Sequence, residues 1–125
     1  MAVELNHTIV PAHDPEASAR FLAELLGIEV SPRVAHFTPV TLANGVTLDY
    51  DQSEKVEGHH YAFLVGGEEY AAAFARIRGG GITYYADPAC RRPAETYTGK
   101  DGQQGLYFRD PNGHLMEIIT PASRP

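Results

Sequence analysis

The stretch GLYFRDPNGHLMEIIT runs from Gly105 to Thr120 and holds two apolar, β-prone runs around Asp110-Pro111-Asn112-Gly113. Asn-Gly supplies the positive-φ positions of a tight hairpin turn, and Asp-Pro favours turn initiation just before it. The returning run Leu115-Met116-Glu117-Ile118-Ile119 is apolar except for one central carboxylate. An ionised Glu in a half-buried strand is costly unless a cation or hydrogen-bond donors compensate it. Taken alone, Glu117 is more simply an outward residue that meets solvent.

Internal repetition changes that weighting. NGVTLDY at 44–50 matches NGHLMEI at 112–118, an offset of 68 that aligns Asn44 with Asn112, Gly45 with Gly113 and Asp49 with Glu117. At an offset of 53, His7 aligns with His60, Glu16 with Glu69, Phe21 with Phe74 and Gly27 with Gly80. Each half thus carries a His on its first strand and a carboxylate on its last. The fifteen-residue difference between the offsets falls in the second half, between its helix and its final hairpin.

Bulk properties set the frame. A chain of 125 residues is one compact domain, or two halves sharing a core. A net charge of -6 argues against nucleic acid or an anionic membrane as partner. The single cysteine, Cys90, excludes an intramolecular disulfide and makes the cytoplasm the expected location. No apolar run long enough to span a bilayer and no secretory leader is recognised.

Along the chain, Val3 to Val10 reads as a first strand, with Leu5, His7 and Ile9 on the face expected to be interior. A lone His there is more often a core residue than a ligand. Asp14-Pro15 opens a helix and Gly27 closes it, with Ala17, Phe21, Leu22, Leu25 and Leu26 as the expected buried stripe. Ile28–Val30, Ala35–Leu42 and Val46–Tyr50 are strand candidates; Asp49 shares a face with Thr47 and Asp51, where it could equally be a solvated residue. The polar run at 51–57 is the linker, separating a first module at about 1–52 from a second at about 57–121. The second half restarts with a strand at His59–Val65, a helix at Gly67–Arg78 and a strand at Ile82–Tyr85. Ala86 to Gln104 is a long loop with a short strand candidate at Thr96–Thr98, and loops of such length in small domains are usually functional or mobile. Pro121 to Pro125 is a tail.

Two His and two carboxylates at equivalent positions of duplicated halves suit one divalent metal per site on a pseudo-twofold axis. Imidazole and carboxylate together fit Fe, Mn, Ni, Co or Zn and disfavour calcium.

The chain resembles the vicinal oxygen chelate superfamily, which includes glyoxalase I, fosfomycin-resistance transferases, extradiol dioxygenases and bleomycin-resistance proteins. LNHTIV at 5–10, HDPEASARFLAELLGIE at 13–29, HHYAFLV at 59–65 and YFRDPNGHLMEII at 107–119 carry the resemblance. It implies an α+β fold of two βαβββ modules, paired into a cup-shaped mixed sheet with helices outside. It also implies His7, His60 and Glu117 as metal ligands, with Asp49 where glyoxalase I has a fourth ligand, a Glu. Asp is one methylene shorter, so its carboxylate should fall roughly an ångström short of a metal placed for Glu. The expected site is therefore two His and one carboxylate with open positions, and Asp49 at most a weak ligand. In glyoxalase I the two metal-bound carboxylates carry proton transfer, which makes Asp49 and Glu117 the candidate catalytic residues. Tyr107 and Arg109 have a minor claim to substrate contact.

The implied activity is a metal-dependent enzyme that chelates a small substrate through two neighbouring oxygens, with lyase, isomerase and dioxygenase chemistry all open. The alternative is a metal-free protein that sequesters a small molecule or antibiotic, as bleomycin-resistance proteins do. Small members of the superfamily commonly pair modules from different subunits. A homodimer with sites shared between chains is therefore the expected assembly.

Overall fold

The computed structural model describes residues 2–123, so that Met1 and the last two residues of the tail lie outside it. The first module contains β1 (His7–Ala12), α1 (Pro15–Leu26), β2 (Thr38–Thr41) and β3 (Thr47–Gln52). The second contains β4 (His60–Leu64), α2 (Gly67–Gly79), β5 (Tyr84–Tyr85), β6 (Tyr97–Thr98), β7 (Gln104–Arg109) and β8 (Leu115–Ile119). This is the α+β architecture expected from the sequence. No helix among the described residues is long and apolar enough to cross a membrane.

Local chemistry accounts for the helix ends. The Asp14 carboxylate accepts from the Ala17 amide at 3.1 Å, Pro15 occupies the first turn, and Gly27 closes α1 at φ 73°. The inward stripe of α1 is Ser18, Ala19, Leu22, Ala23 and Leu25; Ala17 is exposed, and Phe21 and Leu26 are half-buried at its margin.

Module one has two strands after its helix rather than the three expected. Ile28–Val30 forms no strand: Ser31 donates one bond to the Pro39 carbonyl at 2.9 Å, and Pro32, which has no amide hydrogen, then interrupts any ladder. β1 starts at His7, later than expected, and continues through Ala12.

The sheets have orders β1-β3-β2 and β4-β8-β7-β5, with β6 paired to β7. Their registers repeat. In the parallel β1–β3 pair His7 faces Thr47 and Ile9 faces Asp49; in the parallel β4–β8 pair His60 faces Leu115 and Ala62 faces Glu117. Adding 53 to the first-strand numbers and 68 to the last-strand numbers converts one set into the other. The two offsets in the sequence are thus two copies of one pairing scheme.

One face of each sheet meets the helices in a common core that includes Val10, Tyr50, Phe63, Phe108, Met116 and Ile118. The opposite faces are open. The face of β1 expected to be interior is one of these: Leu5 is 67% exposed and Ile9 51%, while Val10 and Ala12 are buried. Apolar residues alone could not tell which face the helix covers.

Candidate metal centre

Each sequence-derived candidate lies on an open sheet face. On module two, the parallel register sets His60 and Glu117 on adjacent strands, and His60 Nε2 lies 2.9 Å from Glu117 Oε1. Nearly half of the His60 side chain is exposed, whereas Glu117 is buried. On module one, His7 and Asp49 occupy the corresponding face. His7 is exposed, and its Nδ1 lies 2.7 Å from Asn6 Oδ1. An amide oxygen only accepts, so in this contact Nδ1–H is the donor, which leaves Nε2 as the ring nitrogen open to a further partner.

The structure brings His60 and Glu117 together but not His7 or Asp49 with them. Among the described residues, no group of three or more His, Cys, Asp or Glu side chains within one chain is arranged to hold a metal. The two halves of the candidate ligand set stand on separate sheets.

The donor chemistry of the pair fits a divalent ion. An imidazole nitrogen and a carboxylate oxygen, 2.9 Å apart on an accessible face, are a donor set that first-row divalent metals take. A carboxylate only accepts, so without an ion Nε2–H donates to Oε1. An ion binding both atoms takes the place of that proton.

Two tyrosines that the sequence did not single out as a pair complete this face. Tyr97, from the long loop, donates its phenol to Glu117 Oε2. Tyr107 stands opposite Glu117 in the β7–β8 register, with its ring 5.6 Å from that of Tyr97 and 5.8 Å from that of His60. Burial raises the Tyr97 pKa above the ordinary phenol value, and the hydrogen bond to Glu117 and its charge push it further. Burial and then the Glu117 charge raise that of Tyr107. Both phenols thus stay protonated well beyond neutral pH, and that of Tyr97 donates to Glu117. For Tyr107 the signal was available, since β alternation puts it on the Glu117 face. For Tyr97 it was not, because its reach depends on a strand it does not border in sequence.

His114 and His59 play no part here. His114 is fully buried; its Nδ1 accepts from the His59 amide at 3.0 Å and its Nε2 reaches the Pro11 carbonyl at 2.8 Å. Arg109 is exposed at the end of β7.

A family model described as the Glyoxalase/Bleomycin resistance protein/Dioxygenase superfamily matches residues 4–118. The chain belongs to this superfamily. Among solved structures, it is similar to one titled oxidase ChaP-H2, with TM-score 0.93 and 55% identity over 100% of this chain and 96% of that one. It is similar to oxidase ChaP-H1 with TM-score 0.90 and 49% identity, covering 99% of this chain and 98% of that one. A lactoylglutathione lyase from Agrobacterium tumefaciens shares the fold, with TM-score 0.73 and 15% identity over 97% and 96% of the two chains. No curated protein matches the chain. As a superfamily member, the protein is of a type that typically binds a divalent metal and a small-molecule substrate.

Proposed function

We propose that this superfamily member is a metal-dependent oxidase or oxygenase acting on a small substrate that offers two neighbouring oxygens. The observation that carries the reading is the His60–Glu117 pair, an imidazole and a carboxylate brought together on an open face. The oxidase names of two relatives at 55% and 49% identity favour oxidative chemistry over the lyase or isomerase branch. His7 of a second copy would supply the third ligand, and a divalent ion so held would provide Lewis-acid chemistry for a chelated substrate.

The chain's own residues have separable tasks. His60 and Glu117 set the ligand geometry. Asp49, on the His7-bearing face, is the candidate proton acceptor beside the substrate, its side chain one methylene shorter than that of a ligating Glu. Tyr107 presents a protonated phenol to developing negative charge.

Elemental analysis of protein purified without a histidine tag tests the metal, and oxygen uptake with catechol and α-hydroxyketone probes tests the chemistry. The expected result is about one Fe, Mn, Co, Ni or Zn per site, lost in His60→Ala and Glu117→Ala, with metal-dependent oxygen consumption. Tight binding of a small molecule by metal-free wild type, unaffected by those substitutions, would instead support the sequestering alternative.

A further inference from the structure

We propose that Tyr97, laid across Gly105, restricts Glu117 to one-oxygen ligation and so keeps a neighbouring coordination position open for substrate. The inference rests on the metal reading of His60 and Glu117 and concerns how this chain shapes that site.

Three observations converge. First, the two oxygens of Glu117 have different partners: Oε1 faces His60 Nε2 at 2.9 Å, and Oε2 accepts the Tyr97 phenol. Of the two lone pairs on Oε2, one is taken by the phenol proton and the oxygen is oriented toward Tyr97, whereas Oε1 is the oxygen turned to His60. Glu117 then offers the ion Oε1 alone, rather than both oxygens.

Second, the route of Tyr97 depends on a missing side chain. β6 pairs with β7, placing Tyr97 opposite Gly105, while Glu117 lies one strand further on, on β8. The phenol therefore has to cross β7 to reach the carboxylate. A Cβ at residue 105 would overlap the Tyr97 ring and hydroxyl. Gly105 shows no positive φ, so its backbone does not call for glycine; the tyrosine lying over it does.

Third, the device exists in one module only. Subtracting 68 from 105 and 107 gives Phe37 and Pro39, and Pro39 faces Asp49 as Tyr107 faces Glu117. Tyr97 comes from the loop that the first module lacks. The extra residues of the second half thus supply the group that distinguishes Glu117 from Asp49.

Substrates that chelate through two oxygens need two adjacent vacant positions. A Glu117 binding through both oxygens would consume one of them. Tyr97 is on this account a positioning residue, acting through Glu117.

The test compares wild type with Tyr97→Phe, Gly105→Ala and the double variant, each loaded with cobalt(II). Infrared difference spectra with 13C-labelled glutamate report whether the carboxylate binds through one oxygen or two, by the splitting of its symmetric and antisymmetric stretches. Acetohydroxamate, a bidentate oxygen probe, reports the open positions. Both single variants should move the carboxylate bands toward two-oxygen binding and weaken acetohydroxamate about tenfold, a typical size for loss of a ligand's hydrogen-bond partner. The double variant should be no worse than either single one, because both remove the same contact. Wild-type bands and probe affinity in a folded Tyr97→Phe protein would overturn the inference while leaving the metal reading intact. A wild type that binds no cobalt, or a His60→Ala variant that binds it equally well, would overturn both.

Discussion

Tyr50 shows how one residue sets a stability limit. It is fully buried on β3, and its hydroxyl has no hydrogen-bond partner among the described residues. Burial raises its pKa well above the usual phenol value, with the nearby Asp110 charge and Tyr61 adding to it. A buried unpaired hydroxyl costs about 1–3 kcal/mol, so Tyr50→Phe should leave stability unchanged or raise it by about 1 kcal/mol, measured by guanidinium unfolding at pH 7. The folded-state pKa is the higher one, so the protonated phenol's contribution is complete below the unfolded value near 10 and lost as pH rises past it. Wild type should therefore weaken more steeply above about pH 10 than Tyr50→Phe. The place of Asp49 in its sheet was legible, through its repeat correspondence with Glu117. Its distance from a metal was an argument from side-chain length. Asp49→Asn should reduce turnover while metal content by elemental analysis stays at the wild-type level; loss of metal would make Asp49 a ligand. Tyr97 was not legible because its function depends on an absent side chain at Gly105, on a different strand. No local pattern reports that.

At the scale of elements, the Asp110-Pro111-Asn112-Gly113 turn does more than join β7 to β8. Only half of the Asn-Gly reading holds: Gly113 takes φ 86°, but Asn112 has no positive φ. The Gly113 amide donates to the Asp110 carbonyl at 3.1 Å and closes a turn centred on Pro111-Asn112, with the left-handed residue following it. The Asp110 carboxylate accepts from the amides of Asn112 and His114, both at 2.9 Å, which fixes the turn internally. The turn is then free to bind the other module. Asn112 Oδ1 accepts from the His13 amide at 2.8 Å, its Nδ2 donates to Ser18 Oγ at 2.9 Å, and His114 reaches Pro11. The sequence revealed the turn but not this clasp, because the partners lie about a hundred residues away at the β1–α1 junction. His114→Ala should cost about 3 kcal/mol, since it leaves a cavity and two unpaired backbone groups; Asn112→Ala should cost about 1–2 kcal/mol. The double variant should cost less than the sum if both act on module docking, as guanidinium unfolding of the three proteins would show. Full additivity would mean that the two contacts are independent.

For the whole molecule, the sequence paired the candidate ligands by their repeat yet misjudged the face that carries them, and both points bear on assembly. Leu5 and Ile9 read as interior residues by alternation, but in the single chain they are 67% and 51% exposed, just before and on the strand that carries His7, and Leu64 on the strand of His60 is 69% exposed. Scattered exposed apolar residues need no explanation. These three, however, flank a ligand set divided between two sheets. A second copy related by a twofold axis would bring module one of one chain to module two of the other, and an isologous contact repeats the arrangement to give two equivalent sites. We accordingly expect a homodimer in which His7 and Asp49 of one chain complete the site of His60 and Glu117 in its partner. His7→Ala and Glu117→Ala each damage every site in their own homodimers. In a mixed dimer the two defects fall in the same site, and the other site carries neither. Subunit exchange between the two metal-poor variants should therefore restore about one tightly bound metal per heterodimer, measured after separation by a charge tag. Sites built within a single chain predict none, so heterodimers that form and remain metal-poor would exclude sharing.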